Sequence, residues 1–356
     1  MASGMEPNHD QALQIEPDQE EAVLLVTSFY RHAFDRQVTQ FHPLKHAPVR
    51  QSLAQPFPAM PTSPFGGMER LPVELTTEIC QYLDIQSCFR LRQVNRFARE
   101  VVSSLPGYQA VATHGMDTLH AALRTGVATR LNISDVYNVL CTMECAICGA
   151  FGGFIYLPTV TRCCFSCLRT CPESLSTVTI FALSQISGVS FNRLTRVLPA
   201  LHTIPGNYTH TGQYFKARRH VVNRLAAIDT LRSLGLGNGV TAHREASKDC
   251  AFRFMSSTPL PYFDPATGQV DRGISCKGCQ LALERRMELY WVYMNHDAPN
   301  EAFTKRGFLD HFHACPEAKK LWIASHGGTI AIEEPKATRP GAFMSELDSD
   351  GNPRED

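Results

Sequence analysis

Two groups of cysteine and histidine residues have the spacing of metal ligands. In the first group, Cys145 and Cys148 form a pair with two residues between them, Cys164 and Cys167 form a second pair, and fifteen residues separate the two pairs. Thiolate pairs spaced in this way bind zinc tetrahedrally from two tight turns. The segment between the pairs contains glycines for turns and then strand-forming residues. The spacing predicts a four-thiolate zinc site in a zinc ribbon or a treble-clef-like hairpin.

Three other cysteines lie close to the first group. Cys163 competes with Cys164 for the third ligand position, but only Cys164 forms a pair spaced by two residues with Cys167. The spacing therefore favours Cys164 and leaves Cys163 as the alternative. Cys141 and Cys171 flank the group, and we expect them to be buried or free thiols, because a free cysteine behaves as a small apolar residue.

The second group lies near the C-terminal end. Cys276 and Cys279 form a further pair, and His311 and Cys315 follow about thirty residues later. If one helix ends near His311 and the next begins at Pro316, Cys315 takes the N-cap position, where the helix dipole favours a thiolate. His313 then points to the opposite face. This pattern predicts a site with three cysteines and one histidine; the alternative is an exposed histidine pair beside two buried cysteines.

The two groups predict two structural zinc ions. A single zinc that joined them would close a loop of 108 residues between Cys167 and Cys276, at a cost of about 1.7 kcal/mol more than closing the loop of the first group. This difference favours two local sites and leaves a shared zinc open. Four sulfur-rich ligands close the metal shell, whereas a catalytic zinc keeps one position open. The strand and helix order of a thioredoxin-like redox motif is not found around either group.

The composition narrows the class of protein. The 356 residues contain 34 Lys plus Arg and 34 Asp plus Glu, so the net charge gives no general attraction to nucleic acid or membranes. The N-terminus lacks the order of a secretory signal, and no apolar run reaches the length of a membrane span. We therefore expect an intracellular protein, cytoplasmic or nuclear, whose cysteines are reduced.

The chain divides into four predicted regions. Residues 1–68 are rich in proline and predicted to be disordered, apart from an apolar segment at 20–34 that is either a partner-binding helix or part of the tail. A compact helical unit occupies 69–110, a zinc-stabilised and mostly helical recognition region occupies 111–330, and 331–356 is a polar, disordered tail. The predicted fold class is mainly α with small zinc-stabilised β elements.

The unit at 69–110 has the pattern of three short helices. Pro72 suits the first turn of a helix whose apolar stripe contains Leu75, Ile79 and Leu83. A second short helix carries Leu91, and Asn95 is the predicted N-cap of a third. A domain this small has a marginal core, so we expect a permanent partner to stabilise it.

This unit closely resembles an F-box domain. The resemblance implies docking onto the Skp-type adaptor of a cullin-based ubiquitin ligase, with apolar anchors on the helices supplying most of the binding energy. The residues that match the motif are Leu71, Pro72, Glu74, Ile79, Tyr82, Leu83, Leu91, Val94 and Asn95. The residues that we expect at the adaptor surface are Leu71, Pro72, Glu74, Leu75, Ile79, Leu83, Leu91 and Val94.

The order of motifs from 69 to 325 is also similar to a group of fungal F-box proteins, which implies a receptor that binds a target protein for ubiquitination and degradation. No catalytic constellation or phosphate-binding glycine loop accompanies it, so we expect a non-catalytic subunit. The alternative is a zinc-dependent module without a ubiquitin role that binds protein or nucleic acid, the latter through a basic helix at 216–232. A RING-type ligase does not fit, because the two ligand groups are not interleaved.

Overall fold

A computed structural model describes residues 15–41, 52–53, 71–170, 172–208, 213–236, 250–289 and 300–338. The N-terminal half contains the α-helices α1 (Glu20–Thr27), α2 (His32–Asp35), α3 (Val73–Gln81), α4 (Ile85–Arg92), α5 (Arg96–Ser103), α6 (Tyr108–His114), α7 (Met116–Thr125), α8 (Ile133–Leu140) and α9 (Phe165–Thr170). The remaining α-helices are α10 (Ile180–Ser187), α11 (Phe191–Val197), α12 (Arg224–Ser233), α13 (Cys250–Met255), α14 (Lys277–Leu289), α15 (Lys305–Ala314) and α16 (Pro316–Ala324).

The strands are short and all pair antiparallel. They are β1 (Ser28–Phe29), β2 (Phe154–Tyr156), β3 (Thr161–Cys163), β4 (Thr177–Thr179), β5 (Leu201–His202), β6 (Gly206–Tyr208), β7 (Gln213–Phe215), β8 (His220–Asn223), β9 (Ser257–Pro259), β10 (Tyr262–Phe263), β11 (Val270–Asp271) and β12 (Ser275–Cys276). The sheet orders are β3-β2-β9, β4-β8-β5, β6-β7, β10-β11 and β1-β12. The predicted class, mainly α with small β elements, is confirmed.

The contacts divide the chain into two compact units, 32–272 and a unit made of 1–31 with 273–356. The first metal-ligand group lies in the larger unit and the second in the smaller one. Our predicted region 111–330 therefore spans parts of both units, because each ligand group gathers its own core around it. In the described residues no helix combines the length and apolar character that a membrane span requires.

The three helices α3, α4 and α5 share their core with the helices that follow them. Ile85, Val102 and Leu119 belong to one buried apolar cluster that continues into α8 and β2. The amide of Ile85 donates to the carbonyl of Leu131, which fastens α4 to the turn before α8. The core of the 69–110 unit thus extends beyond residue 110. The residues that follow the unit cover its inner face, and the expectation of a permanent partner stays a prediction.

The smaller unit uses residues from both ends of the chain. Within 1–68, the segment 20–34 that we singled out contains α1, whose Val23 is fully buried with Phe308, Phe312 and Trp322 of α15 and α16. Strand β1 pairs with β12, placing Ser28 opposite Cys276. The N-terminal segment therefore supports the strand that carries a metal-ligand cysteine, a pairing over about 250 residues that local sequence patterns do not reveal.

Candidate functional site

The first ligand group is built by a tight turn, a hairpin and a helix start. The turn after Cys145 closes when the amide of Gly149 donates to the carbonyl of Cys145, and Gly149 takes a φ of +77°, which favours glycine. Strands β2 and β3 then form the hairpin, and Cys164 follows β3 immediately. Cys167 lies in the first turn of α9, where its amide donates to the Cys164 sulfur. This is the arrangement of the predicted treble-clef-like hairpin.

The four sulfur atoms of this group are close enough to share one ion. All four lie within 4.8 Å of one another, and the Sγ atoms of Cys148 and Cys164 are 3.6 Å apart. A tetrahedral zinc with Zn–S bonds of about 2.3 Å requires sulfurs about 3.8 Å apart. Disulfide bonds are much shorter, at about 2.05 Å, and all four cysteines are free thiols. The donor set fits zinc. Cys163 points into the core instead and is fully buried.

The pKa values of these four thiols also favour binding of a divalent cation. A hydrogen bond from Cys164 lowers the pKa of Cys145 to about 4, so one thiolate is stabilised. The same hydrogen bond and burial raise the pKa of Cys164, and burial raises the pKa of Cys167 to about 12. Several negative charges in this space repel one another unless a divalent cation neutralises them. Metal binding would therefore release protons from the group.

The ligands of the second group come from four places: the strand β12, the helix α14, the helix α15, and the joint between α15 and α16. Cys276 ends β12 and Cys279 lies in the first turn of α14. His311 lies in the last turn of α15, and Cys315 is both the C-cap of α15 and the N-cap of α16, as the sequence predicts. His313 is exposed and lies outside the ligand group, also as predicted. The structure thus brings together Cys276, Cys279, His311 and Cys315.

The distances in the second group fit the same metal. The Cys279 sulfur lies 3.6 Å from the Cys315 sulfur and 3.6 Å from Nε2 of His311, and the sulfurs of Cys276 and Cys315 are 4.0 Å apart. Tetrahedral zinc requires about 3.8 Å between sulfurs and about 3.5 Å between sulfur and nitrogen. Hydrogen bonds with Cys276 and Cys315 raise the pKa of His311 to about 10, and hydrogen bonds from Cys276 and Cys279 lower the pKa of Cys315.

Two residues near the ligands were not found by the sequence reasoning. The ring of Phe303 stacks on the His311 imidazole with centroids 4.5 Å apart and orients that ligand. The buried guanidinium of Arg162 on β3 donates to the carbonyls of Val139, Leu260 and Pro261, which holds the hairpin against the end of α8 and the connection between β9 and β10. A charged residue inside a short strand was the available signal for Arg162. The sequence around Phe303 contains no pattern that links this residue to His311.

Gly278, between the two cysteines of the second group, allows a close approach of two helices. A Cβ atom there would lie 2.5 Å from the backbone nitrogen of Ala318 on α16. Backbone atoms cannot move aside as a flexible side chain can, so Gly278→Ala would push α16 and Cys315 away from the pair. We expect this variant to lose the metal of the second group and keep that of the first, measured as zinc per chain. Gly153→Ala is the control, because the nearest atom to its Cβ is 3.9 Å away; equal zinc content in both variants would contradict the geometry.

The helix α3 carries an exposed apolar face. Leu75 is 47% exposed, Ile79 46% and Tyr82 79%, whereas Thr76 and Cys80 are the residues that α3 buries. Leu75 and Ile79 of the stripe predicted from the sequence therefore lie on the outer face of the helix. Val94, in the turn after the next helix, is 69% exposed. Leu71, Pro72, Val73 and Glu74, at and just before the start of α3, are also exposed.

Two of the residues predicted at the adaptor surface are placed differently. Leu83 and Leu91 are half-buried and pack against the apolar core, so they support the helices from inside. Tyr82 and Val73 are large exposed side chains on the same segment that were not included in the predicted set. Assignment of any of these residues to adaptor binding stays a prediction.

Asp84 caps the helix α4. Its carboxylate accepts hydrogen bonds from the amide and hydroxyl of Ser87, at 2.9 and 2.6 Å. Burial raises the pKa of Asp84, but these hydrogen bonds outweigh it and leave the pKa below its usual value. The stabilisation is present above the unfolded pKa and is lost as the pH falls through the lower folded value. We expect Asp84→Ala to lower the free energy of opening of α4 by about 1 kcal/mol, as measured by amide hydrogen exchange. Asp84→Asn keeps the acceptor and should cost less; an equal cost would mean that the cap is not the cause.

The basic segment at 216–232 is not one helix. Residues 220–223 form β8 in the centre of a sheet, and only Arg224–Ser233 is helical. The valines that pair β8 with β4 and β5 are β-branched and fully or almost fully buried, which overrides the helical pattern. Arg232 pairs with Asp229 at 3.2 Å. The basic helix assumed for nucleic-acid binding is therefore corrected.

Comparison with known proteins supports the assignment of the helical unit. Residues 68–109 match the family model of the F-box domain. Searches of curated proteins and of solved structures return no match. The match spans α3, α4 and α5 and ends at the start of α6, so it covers the segment with the exposed apolar face. The chain therefore contains an F-box domain at residues 68–109.

Proposed function

We propose that the protein is a substrate receptor of an SCF-type cullin ubiquitin ligase. The F-box domain implies a general role in substrate recognition by such ligases. In this proposal the F-box binds a Skp-type adaptor, and the adaptor links it to the cullin. The chain recruits a target protein, while other subunits perform the ubiquitin transfer that leads to degradation. The chain itself is a non-catalytic, intracellular subunit.

The exposed apolar face of α3 is the observation that carries this proposal. Leu75, Ile79 and Tyr82 present large side chains to water at consecutive turns, although the inner face of the same helix is well covered. Large exposed apolar patches mark interaction sites in proteins that are otherwise well packed. An adaptor with a hydrophobic groove would cover this face in the manner of a helix lying in a groove.

In this proposal the two ligand groups bind structural zinc and stabilise the regions around them. Both groups have closed sets of four ligands and distances that suit tetrahedral zinc. The zinc would hold the hairpin of the larger unit and the joint between α15 and α16 of the smaller unit. The target would bind to the regions past residue 110, parts of which the metal ions would hold in place.

Co-purification with a Skp-type adaptor and a cullin tests this function. We expect wild type to retain both partners and about two zinc ions per chain, one for each ligand group. Leu71→Ala combined with Pro72→Ala should lose the partners and keep the zinc, because both residues are exposed and neither contributes a ligand. A wild-type chain that is folded, contains zinc and retains no adaptor would refute the proposal.

A further inference from the structure

One long segment of the chain contains no acidic residue. Between Glu173 and Asp229 there are 55 residues with six arginines and lysines and no aspartate or glutamate. The whole chain has 34 residues of each sign, so the remainder carries an excess of six negative charges. The neutral total therefore conceals a strongly basic region. Its cations are Arg193, Arg196, Lys216, Arg218, Arg219 and Arg224.

This basic segment folds into one part of the larger unit. It forms the sheet β4-β8-β5 with α10 and α11, and its core includes Val178, Leu194 and Val222. Lys216, Arg218 and Arg219 are all exposed just before β8. Within the part of the chain that the structure describes, five of the six cations form no ion pair, namely Arg193, Arg196, Lys216, Arg218 and Arg219.

A cluster of cationic and aromatic side chains lies at one end of this sheet. His202 of β5 and His220 of β8 are register partners, and their rings meet edge to face with centroids 4.3 Å apart. Phe191 packs its ring against His220 at 5.6 Å. The guanidinium of Arg130 donates to the carbonyl of Ala200 at 3.0 Å, which brings a further cation next to β5.

The cluster is electrostatically positive at short range. Burial lowers the pKa of His202, and the nearby charges of His220, Arg218 and Arg130 lower it further. The amide of Arg219 donates to the hydroxyl of Thr203, which fixes the backbone of Arg219 next to the end of β5. Arg130 and Arg218 form no ion pair among the described residues and lie near the His202 ring. Their positive charge is therefore available to an anionic ligand.

We infer that this surface, defined by Arg130, His202, Arg218, Arg219 and His220, binds a short segment rich in aspartate and glutamate on a partner protein. The inference rests on the proposed function, because such a segment would be the recognition element of the target. Screening limits the attraction to about 8–10 Å at physiological salt, so a short acidic peptide experiences mainly this surface. A long nucleic acid would also meet the remainder of the chain, which is negative.

Binding of a labelled peptide to the full chain in complex with its adaptor tests the inference. The probe is a fluorescent peptide of about twelve residues rich in glutamate, and a glutamine version is its uncharged control; anisotropy is read at about 50 mM salt. We expect saturable binding of the glutamate peptide alone. Arg218→Glu combined with Arg219→Glu should weaken it by at least about tenfold, because repulsion replaces attraction.

A matched pair of substitutions separates local from general charge effects. Lys305→Glu combined with Arg306→Glu makes the same change in net charge at exposed positions in the first turn of α15, where acidic residues suit the helix dipole. We expect this variant to bind the peptide as wild type does. Equal weakening in both variants, no binding by wild type, or tighter binding of a labelled single-stranded oligouridine would overturn the inference. Adaptor retention is measured on each sample, so loss of the peptide alone leaves the proposed function intact.

Discussion

Chelation of the metal is expected to unfold both segments that carry the ligand groups. The hairpin β2–β3 and the joint between α15 and α16 consist of short elements, and binding of structural zinc contributes about 10–16 kcal/mol in small zinc-dependent peptides. That value is as large as the whole free energy of unfolding of a typical domain, about 5–15 kcal/mol. Hydrogen exchange before and after treatment with a strong chelator should show loss of protection in both segments, and zinc should restore it.

Single cysteine substitutions assign that effect to each site. We expect Cys145→Ser to release the zinc of the larger unit, and Cys279→Ser to release the zinc of the smaller unit. Cys141→Ser is the matched control, because Cys141 is a half-buried free thiol outside both groups. Retention of two zinc ions by the ligand variants, or full protection in the chelated protein, would show that the groups are not structural metal sites.

Acidic substitutions on the outer face of α3 are expected to abolish adaptor binding. Burying a leucine or isoleucine side chain contributes about 1.5–3 kcal/mol, so loss of Leu75 and Ile79 together corresponds to an affinity weaker by at least about a hundredfold. Leu75→Asp combined with Ile79→Asp weakens binding further, because two negative charges would have to be buried in the adaptor interface. Both positions are about half exposed, and we expect the variant to remain folded. The dissociation constant for the adaptor, from biolayer interferometry, is the measurement.

Phe181→Asp provides the comparison for this pair. Phe181 is 65% exposed on α10, outside the F-box, so its substitution removes a large exposed apolar side chain at an unrelated position. We expect the Phe181 variant to bind the adaptor as wild type does. If both variants lose binding to the same degree, the adaptor binds exposed apolar side chains non-specifically and α3 is not the docking helix.

Local chemistry explains why much of the two metal groups was predictable. Spacing by two residues lets each cysteine pair grip one ion from a single turn, so the sequence alone identified the four residues of each group. The joint at Cys315 was also predictable, because Pro316 begins a helix and leaves the preceding residue at its N-cap. Cys163 and Cys164 differ by one position along the chain; the pairing of Cys164 with Cys167 favoured Cys164, and the structure brings the Cys164 sulfur, not that of Cys163, into the ligand group.

Long-range contacts explain what the sequence could not reveal. Periodicity identified the stripe on α3, but it does not state which side faces water, and here Thr76 and Cys80 face the core instead. The pairing of Ser28 with Cys276 joins distant parts of the chain, and no local pattern marks it. The basic run before β8 has helical spacing, yet the sheet supplies partners for Val221 and Val222 that a helix would not.

Calorimetric titration of the purified, zinc-loaded chain with a purified Skp-type adaptor is the most direct test of the central claim. We expect saturable binding at one adaptor per chain. We also expect a negative change in heat capacity, because the apolar face of α3 leaves water on binding. A folded, zinc-loaded chain that gives no saturable binding would contradict the claim that this protein is an adaptor-bound receptor.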